Sequence, residues 1–67
     1  MNVRERVGAN VRRLRLAHEL TQEELGHRAG LDRTYISSVE RAMRNPTVTV
    51  LDKIATGLGV SLTDLVA

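Results

Sequence analysis

Residues 21–41 read TQEELGHRAGLDRTYISSVER. Two short helices and a glycine turn are written into this run. Thr21-Gln22-Glu23-Glu24 has the form of a capping box. The Thr21 hydroxyl accepts from the third amide of the helix, and Glu24 reaches back to the Thr21 amide. Leu25 and Ala29 share one helical face and point inward. Gly30 ends this helix, because glycine takes a left-handed backbone at little cost. Asp32 caps the next helix, whose buried edge is Ile36 and Val39. Two short helices joined by a glycine turn of about three or four residues make a helix-turn-helix. Its expected span is about residues 21–41, with Gly26 allowing the two helices to approach closely.

The flanks are helical as well. Val3, Val7, Val11 and Leu14 step by four, four and three, an apolar stripe on one face of a first helix running to about His18. Arg4, Arg6, Arg12 and Arg13 fill positions off that stripe. Beyond the helix-turn-helix, Arg44-Asn45-Pro46-Thr47 breaks the pattern, since proline disfavours a helical residue before it. Thr47 caps a fourth helix with Leu51, Ile54, Ala55 and Leu58 inward, and Gly57 and Gly59 are expected to end it. Ser61 caps a last short helix holding Leu62 and Leu65. No run alternates with period two, and Val48-Thr49-Val50 is the only β-branched cluster. The reading is all-α, five helices and no sheet, one domain over residues 1–67. Leu16 and Val50 fall outside the stripes and read as lone exposed apolar residues.

Composition agrees with one small domain. A chain of 67 residues buries only about 60% of its unfolded surface, so its core is marginal. Small domains usually add a disulfide, a metal or a partner subunit. There are no cysteines, which removes disulfide scaffolds, zinc fingers and thiol chemistry. Hydrophobic content is 42%, too high for a disordered tail. The apolar runs fall far short of the ~20 residues that span a bilayer. The arginine-studded N-terminal segment has no apolar core of the signal-peptide kind. The expected location is the cytoplasm, with no membrane partner.

Net charge is only +2, but nine of the ten bases are arginines, at 4, 6, 12, 13, 15, 28, 33, 41 and 44. Arginine suits phosphate and base-edge recognition; it is also common in proteins of high-GC genomes, and composition alone weighs the two readings about equally. After residue 44 there is one base, Lys53, and two acids, Asp52 and Asp64. By sequence position, one end of the domain is cationic and the other is not.

The outward face of the third helix follows from its periodicity. With Ile36 at zero and about 100° per residue, Val39 lies near 300° and Glu40 near 40°, so the buried direction is about 340°. The opposite direction, about 160°, holds Thr34, with Arg41 near 140°, Ser38 near 200° and Ser37 near 100°. This face is small and polar with an arginine at its end, and Arg33 in the first turn is long enough to reach forward. Small side chains let a helix approach the floor of a major groove, and arginine can contact guanine with two hydrogen bonds. Any solvated helix face looks similar in isolation; the cap, the glycine turn and the basic flank together set this one apart. Gln22 sits at the free N-terminus of the second helix, where open amides can hold a phosphate and its side-chain amide adds a donor. Ser37, Arg41, Arg44 and Asn45 are placed to contact the adjacent DNA backbone. Tyr35 lies on the flank, near 260°, where it either reaches a phosphate or leans on the second helix.

Leu20-Thr21-Gln22-Glu23-Glu24-Leu25, Ala29-Gly30, Ile36-Ser37-Ser38-Val39-Glu40-Arg41 and Asn45-Pro46-Thr47 together resemble the Xre/Cro family of lambda-repressor-like DNA-binding domains. Leu51-Asp52-Lys53-Ile54-Ala55, Leu58-Gly59-Val60-Ser61 and Leu65 look like its closing two helices. Within the family, Asp32-Arg33-Thr34-Tyr35-Ile36-Ser37 with Glu40-Arg41 and Arg44-Asn45 is similar to the controller proteins of restriction–modification systems. The resemblance implies a five-helix domain binding operator DNA as a homodimer. It implies Arg33, Thr34, Tyr35 and Ser38 at bases or nearby phosphates, Gln22, Arg44 and Asn45 at phosphates, and an ion pair between Arg15 and Glu40. A controller would bind its own promoter and turn from activation to repression as sites fill. Glu19 is a departure, since the family often has glycine at the end of the first helix.

Other chemistry finds little support. His18 and His27 have no third ligand, and a zinc site needs three or four, so no metal or cofactor is expected. Ser37 and Ser38 lack histidine and acid partners for nucleophilic catalysis, and no enzyme constellation is present. A homodimer places two recognition helices about 34 Å apart, one turn of DNA. Val50, Leu62 and Val66 at the charge-poor end are the expected interface, although Leu62 has an equal claim on the monomer core. The expected partners are a palindromic operator, a second copy of the chain and RNA polymerase, blocked or recruited. The rival readings are a phage-repressor type and an antitoxin capping a toxin. Antitoxins usually carry an extra partner-binding segment, and this sequence ends just after the last expected helix.

Overall fold

Each helix begins on a side chain that satisfies one of its open amides. The computed structural model describes residues 2–67. Asn2 Oδ1 accepts from the Glu5 amide at 2.9 Å and starts α1, Val3–Ala17. Thr21 starts α2, Gln22–Ala29, and the capping box closes in both directions: Glu24 N to Thr21 Oγ1 at 3.0 Å, Thr21 N to Glu24 Oε1 at 2.9 Å. Asp32 Oδ1 accepts from the Thr34 amide at 2.7 Å and starts α3, Arg33–Glu40. Thr47 starts α4, Val48–Leu58, and Ser61 starts α5, Leu62–Val66. Among the described residues there is no strand.

Four of the helices also end alike. A residue in the left-handed region follows the helix, and the next amide donates back five residues. The four bonds run from Leu20 to Arg15 (3.0 Å), Leu31 to Gly26 (2.8 Å), Met43 to Ser38 (2.9 Å) and Val60 to Ala55 (3.0 Å). This is the Schellman closure, with an apolar residue just past each turn. Gly30 and Gly59 take the left-handed position at φ 71° after α2 and α4. Glu19 (φ 56°) and Ala42 (φ 61°) take it after α1 and α3. The turn after α1 therefore keeps its shape without glycine.

The core is aliphatic: Val7 and Val11 from α1, Leu20, Leu25 from α2, Ile36 and Val39 from α3, Leu51, Ile54, Ala55 and Leu58 from α4, Leu65 from α5. α2 packs on α3 and α4, while α1 crosses α3 and runs against α5. Two glycines set how close these crossings are. A Cβ on Gly8 would lie 2.5 Å from the Val39 carbonyl oxygen, and one on Gly26 would lie 2.6 Å from that of Leu31. Only glycine admits α1 this near the end of α3, or α2 this near the turn.

Several expectations need correction. Val3 is 58% exposed, because the first turn of α1 overhangs the core. Gly57 does not end α4; it is buried inside it, where a Cβ would meet the Ala29 amide nitrogen at 3.2 Å. Val50 is not a lone surface residue but is half-buried against the core, as is Leu62. The cationic and neutral ends are not separate in space either. α1 lies along α5, so Arg6 Nη1 reaches the Val66 carbonyl at 3.5 Å, and Asn10 Nδ2 donates to those of Leu65 (2.9 Å) and Ala67 (3.1 Å).

Candidate nucleic-acid interface

α3 turns Ile36 and Val39 into the core and leaves Arg33, Thr34 and Arg41 exposed, with Ser37 and Ser38 half-buried. Ser38 Oγ donates to the Thr34 carbonyl at 2.9 Å. Its hydroxyl proton is thereby used inside the helix, and its oxygen keeps only acceptor capacity. Arg33 Nη1 lies 3.8 Å from Glu23 Oε2, with both side chains well exposed. Such a pair is worth only about 0–1 kcal/mol, so Arg33 is free to leave it.

Tyr35 is half-buried against the core, and the Arg44 guanidinium stands over its ring, 4.9 Å from the centroid. This cation–π contact ties the loop after α3 back to α3 itself. Tyr35 thus leans inward and also carries a cation on its outer face. Arg41 and Asn45 are exposed on either side of Arg44 in sequence.

Behind this face lies a buried polar knot. Arg15 Nε and Nη2 donate to Glu40 Oε2 (2.6 Å) and Oε1 (3.0 Å), and Arg15 Nη1 donates to the Leu20 carbonyl (2.8 Å). The two side chains are only 9% and 2% exposed. The bond to Glu40 raises the Arg15 pKa above the usual guanidinium value. Gln22 Nε2 completes the knot, donating to Glu40 Oε1 at 3.1 Å. So Arg15 and Glu40 meet, and so do Tyr35 and Arg44. Val66 is 39% exposed on α5, while Val50 and Leu62 are half-buried.

Sequence reasoning did not find the Gln22–Glu40 bond, the Leu20 carbonyl as a partner of Arg15, or the close approach at Gly8. A signal existed for part of this. Gly8, Val11 and Arg15 step by three and four, a second inward stripe beside the valines, and the periodicity puts Glu40 nearer the buried side of α3 than the outward one. Exposed Val48 was also missed; it adjoins Val50 at the start of α4.

Two acids at helix starts, Asp32 and Glu24, are tuned by their caps. The Thr34 amide holds Asp32 below its ordinary carboxylate range, and the Thr21 amide does the same for Glu24. Because the folded values are lowered, the stability they add is present above the unfolded values of about 4 and fades as pH falls through the folded ones. The melting temperature of Asp32→Asn with Glu24→Gln is expected to fall less between pH 5 and pH 2 than that of the parent, since amides still cap but do not titrate. Equal acid slopes in thermal melts would assign the loss to other groups.

Comparison with known proteins places this arrangement. The helix-turn-helix family model matches residues 11–65. The chain belongs to this family. Its branch is the Xre/Cro type, a family of transcription regulators and not of enzymes. The helix-turn-helix chain is 50% identical over 66 residues to an uncharacterized HTH-type transcriptional regulator of Sinorhizobium fredii, covering 98% of this chain and 86% of that one. It is 43% identical over 65 residues to the control protein C.SmaI of Serratia marcescens, covering 97% and 77%. The crystal structure of the restriction-modification controller protein C.AhdI from Aeromonas hydrophila superposes with a TM-score of 0.90 at 39% identity, covering 92% of this chain and 94% of that one. Among the described residues, no helix of this regulator-family domain is long and apolar enough to cross a membrane.

Proposed function

We propose that this protein is a sequence-specific DNA-binding regulator that occupies operator DNA as a homodimer, and that it is a restriction–modification controller acting on its own promoter. The observation that carries this reading is the outer face of α3. Arg33, Thr34 and Ser38 contribute nothing to the core, yet they sit on a rigid helix. The start of α2 is joined to the end of α3 through Gln22 and Glu40, and Arg44 is stacked on Tyr35. In this reading α3 enters the major groove, with Arg33, Thr34, Tyr35 and Ser38 at or near bases. Gln22, Ser37, Arg41, Arg44 and Asn45 hold the flanking phosphates and set the register. The likeness to C.SmaI and C.AhdI supports the controller assignment.

A single α3 contacts only a few base pairs. Pairing two copies through α4 and α5, with Val48, Val50, Leu62 and Val66 at the seam, would set two such helices one DNA turn apart. Binding there blocks or recruits RNA polymerase.

Footprinting on the DNA upstream of its own gene is expected to reveal a palindromic protected site. Arg33→Ala should weaken binding to that site by roughly 1–3 kcal/mol and relax preference at one base position. Equal loss on every sequence would remove Arg33 as a base reader. Absence of any protected site, with the protein folded, would remove the operator reading.

A further inference from the structure

The Gln22–Glu40 bond joins the start of α2 to the end of α3 through a carboxylate already paired with Arg15. We propose that Glu40 is a positioning residue for DNA binding: it fixes the Gln22 side-chain amide, in the free protein, in the orientation that donates to a DNA phosphate. The inference rests on the proposed role of Gln22 as a phosphate contact.

The chemistry of the knot dictates the orientation. A carboxylate paired with a guanidinium only accepts. The oxygen edge of the Gln22 amide cannot face it, so the nitrogen edge must. One Nε2 hydrogen goes to Glu40 Oε1 at 3.1 Å. The second cannot reach the same oxygen and remains available. Nearby are the backbone amides of Gln22 and Glu23, which as first-turn amides have no intrahelical partners; that of Glu24 is taken by Thr21. Three donors from one helix start are thus offered to one anion.

The carboxylate is itself held. Arg15 grips both its oxygens, and the remaining Arg15 nitrogen donates to the Leu20 carbonyl in the turn just before α2. At 2% side-chain exposure Glu40 has little room to move. A glutamine without such a partner samples several rotamers and loses that freedom on binding. One fixed beforehand does not, which favours affinity. A bond that only stapled α2 to α3 would predict something different: the effect of Gln22 on DNA would not depend on Glu40.

A double-mutant cycle separates the two. The apolar pair Arg15→Met with Glu40→Leu removes the anchor without leaving a buried charge. Binding is measured on double-stranded DNA of mixed sequence at low salt, where phosphate contacts carry the affinity. Gln22→Ala is expected to weaken binding about ten-fold in the parent and under about two-fold in the apolar-pair background. Ten-fold in both overturns the positioning role and leaves the phosphate contact standing. No loss in the parent overturns the phosphate contact, and the positioning with it. A second measurement needs no DNA and no folded double variant. In the parent's ¹⁵N–¹H spectrum the Gln22 side-chain amide, identified by its disappearance in Gln22→Ala, should be displaced from the free-amide position and exchange slowly. A free-amide signal there overturns the proposal.

Discussion

Arg15→Ala is expected to leave much of the chain unfolded at room temperature. The substitution strands the Glu40 carboxylate, 2% exposed, with only Gln22 as a donor. Removing one partner of a buried pair costs about 3–5 kcal/mol. At about 0.05–0.15 kcal/mol per residue, a domain of this size has only some 3–10 kcal/mol in total. Circular dichroism during urea denaturation would measure the loss. The apolar pair Arg15→Met with Glu40→Leu is expected to stay folded, because no charge is left in the core. If Arg15→Ala lost less than about 1 kcal/mol, the value of an exposed pair, water would have to reach Glu40 and the knot would not be a structural element.

Gly8→Ala is the second large effect, and its sign is opposite to that of most such changes in a helix. Alanine is normally favoured over glycine there by about 1 kcal/mol. Here the added Cβ would stand 2.5 Å from the Val39 carbonyl oxygen and 2.9 Å from that of Glu40. Both are backbone atoms with no rotamer to escape into. Overpacking of this kind costs about 1–3 kcal/mol, and each kcal/mol lowers the melting temperature of a small domain by roughly 4–8 °C. The atoms that must yield belong to the end of α3, so binding to the proposed operator should fall further than the lost stability explains. A melting temperature at or above the parent's would show that α1 shifts freely across α3.

The starts of the helices were legible because a cap is local chemistry: Thr21, Asp32, Thr47 and Ser61 act on amides two or three residues away. The Gly30 and Gly59 stops were legible for the same reason. Gly57 was misread because its task is to admit Ala29 from another helix, and a glycine near a helix end looks alike in both roles. The turns at Glu19 and Ala42 use a left-handed backbone that nothing in their side chains announces. Only the apolar residues behind them, Leu20 and Met43, repeat the pattern of the glycine turns. Of the interface, the outward face of α3 came directly from helical period. The knot behind it did not, since Arg15 and Glu40 are 25 positions apart and periodicity says which way a residue faces, not what it meets.

The grip of α1 on α5 bears on how the protein is born. Asn10 donates to carbonyls 55 and 57 positions later, and α5 delivers the fully buried Leu65 to the core beside α1. On the ribosome, residues around Asn10 emerge seconds before Leu65 is made, at about 5–20 residues per second. Throughout that interval the valine face of α1 lacks one of its partners, and the tunnel still holds the helix that supplies it. The fold is therefore complete only once α5 has left the tunnel and packed beside α1.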